Sequence, residues 1–149
     1  MPTSLFHQLG GFDTSFKGRL EDYELGVRLL KVGARVRFEQ QALGHHYETN
    51  DLRLWAHRVR QDGIADIQIG DRHPELRNMM FDLCEPKRSD RRHLRQLAFD
   101  LSERGIKQGD RLECMLFRRV ERHERLRLRR RWRKDVRLLR EYNYWRGVA

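Results

Sequence analysis

With 149 residues and a mass of 18.1 kDa, the chain is long enough for one domain with a hydrophobic core and too short for two of ordinary size. Apolar residues make up 38% and charged residues 36%, the mean hydropathy is -0.88 and the net charge is +10, and no apolar run approaches the ~18 residues of a membrane span. Cys84 and Cys114 stand thirty residues apart with no CxxC spacing. That excludes a disulfide scaffold and points to reduced thiols in a cytoplasmic setting.

Taken in chain order, residues 1 to 18 read as a short apolar lead and a turn, because Gly10 and Gly11 can adopt positive φ and Gly18 follows. From Leu20 to Val32, Leu20, Tyr23, Val27 and Leu30, with Leu25, Leu29 and Val32, recur at helical spacing, and Gly33 stands where a C-cap is expected. "RVRF", Arg35 to Phe38, alternates as a short strand does, and "QQALGHHY" continues it as strand or loop. A second helix starts at Asn50 or Asp51, has a weak point at Gly63 and ends by Pro74. Ser89 or Asp90 caps a third that reaches Gly105.

From Gly109 to Tyr144 the pattern is one long helix or two in sequence, with Leu112, Met115, Leu116, Val120, Leu126 and Leu128 as candidate buried positions. Between Arg118 and Arg140, twelve Lys/Arg oppose only Glu121, Glu124 and Asp135, so this segment carries +9 of the +10. A tail of that kind suits an anionic membrane surface, nucleic acid or an acidic partner. The layout is α+β but mainly helical, and its single strand has no evident partner within the chain.

Glu21 and Asp22 fall in the first turn of the predicted helix, where the unpaired N–H groups and the macrodipole stabilise a carboxylate by ~0.3–1 kcal/mol. That explanation alone suffices for their presence. Asp22 also shares a face with Leu25 and Leu29, so it stands at the rim of an apolar surface, where a carboxylate can act as a general base. Glu24 and Arg28 form an ordinary i,i+4 surface pair. His45 and His46 are adjacent, and neighbouring side chains on a strand point to opposite faces, so at most one addresses a given site. No HxH, HExxH or DxD pattern completes a metal site around them, and His57, His73, His93 and His123 have no supporting constellation.

Together, "LGGFDTSF", "EDYELGVRLLKVG", a short strand and "ALGHH" resemble the C-terminal part of the catalytic domain of family 2 glycosyltransferases of the GT-A fold. The resemblance is specific from about Leu9 to His46 and extends more loosely to Leu76 through "RQDGIADIQIGDRHPEL"; "YWRGV" near the end is similar to how the family's helical extensions close. It implies a partial GT-A core at 1–48, a helical extension at 49–105 and a basic helical tail at 106–149. It further implies an acidic pair, Glu21 and Asp22, in which Asp22 is the general base on the acceptor hydroxyl of an inverting transfer. Gly10, Gly11, Phe12 and Asp13 would shape the acceptor side. His45 or His46 would help hold Mn²⁺ or Mg²⁺ on a nucleotide-sugar donor.

The family's nucleotide-binding half, with its DxD motif, has no counterpart in these residues. The expectation is therefore a C-terminal piece of a transferase acting on cell-surface or lipid-linked glycans, inactive alone and without a metal of its own. Its basic tail would lie against the inner membrane face. The competing reading is a small basic helical protein that binds nucleic acid through Arg118 to Arg140, or an interaction module. It leaves the GGFD turn and the acidic helix unexplained.

Overall fold

The computed structural model describes residues 1–16, 19–47, 51–77, 96–101 and 106–149. The chain divides into two units, Met1–Asp51 and Leu52–Ala149. The described residues from 52 to 101 and those from 106 to 149 fall in the second unit.

In the first unit, helix α1 (Thr3–Gln8) was not expected, and α2 (Glu21–Lys31) was. Both end in the same way. At α1, Gly10 has φ +81 and the N–H groups of Gly10 and Gly11 donate to the carbonyls of His7 and Phe6. At α2, Gly33 has φ +79 and the N–H groups of Gly33 and Ala34 donate to Leu30 and Leu29. This paired closure satisfies carbonyls the helix leaves over and needs a left-handed residue that glycine supplies without a steric penalty.

Arg35 to Phe38 belong to no regular element, and no strand occurs among the described residues. A strand is held by its neighbour's backbone groups, and nothing described in the unit supplies them. The apolar side chains of the segment face water instead, Val36 at 79% and Phe38 at 88% exposure.

The second unit contains α3 (Leu52–Arg72), a 3-10 turn at Pro74–Leu76, a helical stretch at 96–101, α4 (Ile106–Arg125) and α5 (Arg129–Val148). The predicted third helix from Ser89 lies outside the described residues except for 96–101. The long C-terminal pattern resolves into two helices. They part at Arg127, which takes φ +53 while its N–H and that of Leu128 donate to Glu124 and His123. A side-chain-bearing residue here occupies the position glycine usually fills.

The core joins Ala56 and Val59 of α3; Ala98 of the 96–101 stretch; Leu116, Phe117 and Val120 of α4; and Leu139, Tyr142, Tyr144 and Trp145 of α5. Of the anticipated positions, Leu116 and Val120 are buried and Leu112 is partly buried, whereas Met115 lies off the buried face of α4, and Leu126 and Leu128 are exposed in the break after α4 ends at Arg125. Gly63 is a contact point rather than a weak one. A Cβ there would lie 2.3 Å from the Tyr144 carbonyl oxygen, and one at Gly147 would lie 2.0 Å from that of Arg60. The two glycines let the backbones of α3 and α5 touch.

Polar groups also tie these helices together. Glu113 accepts from Arg60 at 2.6 Å and from Arg146 at 3.0 Å, Arg146 reaches Asp110 at 3.0 Å, and Arg60 donates to Asn143 at 3.1 Å. The Tyr144 hydroxyl donates to Asp66 at 2.5 Å.

Burial pushes the Asp66 carboxyl above its ordinary value of 3.8; the Tyr144 hydrogen bond works against that shift and the nearby Asp62 charge adds to it. A raised folded-state pKa contributes stability that is complete below 3.8 and is lost as pH rises through the folded value. Asp66→Asn keeps an acceptor for Tyr144 and removes the titration. Its urea midpoint is therefore expected to exceed that of the wild type at pH 7 and to fall less between pH 4 and pH 7; identical pH profiles would refute the assignment.

Candidate functional site

The acidic helix and the double-glycine turn meet in the first unit, and Arg28 joins them. Its guanidinium places Nε 2.9 Å from both carboxylate oxygens of Glu24, donates through Nη2 to the Gly11 carbonyl at 2.7 Å, and through Nη1 to the Leu9 carbonyl. Glu24 is only 2% exposed. The Glu24–Arg28 pair is thus not the surface pair its spacing suggests. It is a buried carboxylate and a planar five-donor cation that fasten the turn after α1 to the middle of α2.

The turn itself is closely packed. Gly11 has φ +70, and a Cβ on it would sit 3.2 Å from the Phe6 ring. Phe6 and Phe12 pack edge to face with centroids 5.4 Å apart, leaving Phe12 half-exposed at 51%. Asp13 accepts from the Ser15 N–H at 2.9 Å through its side chain and from the Phe16 N–H through its carbonyl, a side-chain-stabilised turn that leads into buried Phe16.

Helix α2 begins after Leu20, which has φ +60 and offers no side-chain cap. Its first turn therefore presents N–H groups to acids alone: Glu21, Asp22 and Glu24. Asp22 is exposed, and its Oδ1 accepts from the N–H of Tyr23 at 2.8 Å. Its other oxygen has no hydrogen bond among the described residues. Glu21 is half-buried, with Oε2 enclosed and unpaired. Leu25 is buried beneath Asp22 at 5% exposure and Leu29 is half-buried, so the carboxylate stands at an apolar rim as its spacing suggests.

His45 and His46 lie in an exposed irregular segment. Among the described residues, no three His, Cys, Asp or Glu side chains cluster as metal ligands. The histidines alone do not make a metal site. Also among the described residues, no helix is long and apolar enough to cross a membrane.

Sequence reasoning also passed over His123. Its Nδ1 lies 2.5 Å from Oδ2 of Asp135, whose Oδ1 accepts from Arg119 at 2.9 Å. Asp135 is 1% exposed. The twelve-residue separation crosses the break between α4 and α5, and no local spacing reveals it.

The comparisons relate the chain to one class of enzyme. Over 73 residues, 49% of its length, the chain is 36% identical to a glycosyltransferase and is related to such enzymes over that stretch. The matching proteins are the pre-mycofactocin glycosyltransferases of Mycobacterium tuberculosis strains CDC 1551 / Oshkosh and ATCC 25618 / H37Rv. The chain spans 15% of the length of these curated relatives. No family model and no solved structure matches it.

Proposed function

We propose that the chain is the acceptor-side part of an inverting glycosyltransferase of family 2 and GT-A fold, with the nucleotide-binding part supplied from outside residues 1–149. The identity to a glycosyltransferase carries the reading. The exposed apolar segment around Val36 and Phe38 supports it, since a strand there would be completed by the neighbouring strands of such a core.

In this proposal Asp22 takes the proton from the acceptor hydroxyl as its oxygen attacks the anomeric carbon, and the nucleoside diphosphate leaves from the opposite side. Asp22 Oδ1 accepts from the Tyr23 N–H, which orients the carboxylate and leaves Oδ2 for the acceptor proton. The turn of Gly10, Gly11, Phe12 and Asp13 supports the acceptor, Phe12 offering an aromatic face. Mn²⁺ or Mg²⁺ would be held mainly by the nucleotide-binding part, with His45 or His46 contributing from this chain. The acceptor is a hydroxyl-bearing glycan or lipid-linked intermediate; the relatives are named for pre-mycofactocin. The activity belongs to the joined protein, at the inner membrane face.

In a polypeptide that joins these residues to a nucleotide-binding half, Asp22→Asn is expected to lower transfer by roughly 10²–10⁴-fold with donor binding near the wild-type level. Asparagine keeps the acceptor for the Tyr23 N–H, so the helix start is preserved. Retained transfer would sink the assignment of Asp22 as base.

A further inference from the structure

The basic tail is not a uniformly charged rod. Arg119, Arg122 and His123 stand at i, i+3 and i+4 on the last turns of α4, and Arg131, Lys134 and Asp135 repeat that spacing on the first turns of α5. The left-handed Arg127 folds one triple toward the other, and the six residues line a cavity of about 420 Å³. That volume falls within the range of small-molecule sites.

Four cationic side chains converge there on one carboxylate, and that carboxylate is already occupied. Asp135 is buried and spends one oxygen on Arg119 and the other on His123. Arg122, Arg131 and Lys134 have no acidic partner among the described residues. Bringing such charges together costs energy in the empty protein, and an anion would recover it.

We infer that the cavity between α4 and α5 is a binding site for a phosphoryl group of diphosphate size, held by Arg119, Arg122, Arg131 and Lys134, with Asp135 as the buried positioning residue that aims Arg119 and His123 into it. Arginine forks suit phosphate oxygens bidentately, and lysine adds a compact charge. The inference is independent of the transferase reading. The phosphoryl group can belong to a soluble diphosphate or to a phosphorylated lipid headgroup.

The test uses the whole 149-residue chain and two double variants of equal net charge. Arg122→Gln/Lys134→Gln alters the cavity, and Arg133→Gln/Arg137→Gln alters exposed positions of α5 outside it. All four positions are exposed, so circular dichroism and thermal melts should match the wild type. In calorimetric titration with inorganic pyrophosphate, the cavity variant is expected to lose affinity at least about tenfold and the control pair less than about twofold.

Flotation with phosphatidylcholine vesicles carrying phosphatidic acid then separates the sources. Binding lost only in the cavity variant assigns the group to a headgroup, and vesicle binding that is absent or equally reduced in both variants, with pyrophosphate discrimination intact, assigns it to a soluble diphosphate. Failure of the wild type to bind either probe, or equal loss of pyrophosphate affinity in both variants, overturns the site.

Discussion

Gly147→Ala is expected to destabilise the Leu52–Ala149 unit by about 3 kcal/mol or more, and Gly63→Ala by a similar amount. Helix propensity predicts the opposite sign, since alanine is favoured over glycine inside a helix by up to ~1 kcal/mol. Packing decides the matter. The new Cβ would meet backbone, the Arg60 oxygen at 2.0 Å or the Tyr144 oxygen at 2.3 Å, and backbone cannot step aside as the end of a flexible side chain can. The helices would have to separate, opening the apolar contacts of Val59, Leu139 and Trp145 that lie along the same seam. Gly26 in α2 is the internal contrast, because a Cβ there meets nothing within 4 Å. Urea unfolding curves for the three variants check this: a midpoint for Gly147→Ala at or above wild type would show that α3 and α5 do not touch as described.

The second large effect is at Arg28. Its replacement by alanine removes the guanidinium that faces both oxygens of buried Glu24 and takes the Arg28 donor from two carbonyls, of Leu9 and Gly11. Breaking a buried pair from one side costs ~3–5 kcal/mol, and the partial exposure of Arg28 at 23% places this case near the lower end. The loss should be local and measurable as faster hydrogen exchange at the Gly10 and Gly11 amides, which close α1. Arg28→Lys should recover little, since one ammonium cannot span a carboxylate and two carbonyls at once. The double variant Glu24→Ala/Arg28→Ala removes the buried carboxylate together with the arginine and should be less destabilised than the sum of the two single variants. Unchanged exchange at Gly10 and Gly11 in Arg28→Ala would mean that the arginine does not fasten the turn.

These two residues mark where local pattern stops being informative. The helix ending at Gly33, the one closed by Pro74 and the acidic first turn of α2 were all legible, because caps, breakers and first-turn acids act within a few residues of themselves. Leu116 and Val120 were legible as core for the same reason. Glu24–Arg28 has the spacing of a surface pair, and only the return of the chain through Gly11 buries it. Gly63 reads as a helix defect until Gly147, eighty-four residues later, arrives against it. The break at Arg127 carries no glycine or proline, so composition gives no warning of it, and the meeting of His123 with Asp135 follows from that break. The strand predicted at Arg35 to Phe38 shows the reverse limit, since alternation describes a segment ready to pair and says nothing of whether a partner is present.

The fork of Arg60 and Arg146 on Glu113 has a consequence for how the helices are indexed along their axes. Apolar burial is non-directional, and a face of leucine, tyrosine and tryptophan tolerates sliding. A slip of α5 by one turn would carry Arg146 about 5.4 Å along its axis, out of reach of Glu113 and Asp110 together. Arg60 would then hold Glu113 alone and lose Asn143. One carboxylate thus acts as a detent between three helices, selecting a single longitudinal setting from several that the oily contacts would accept.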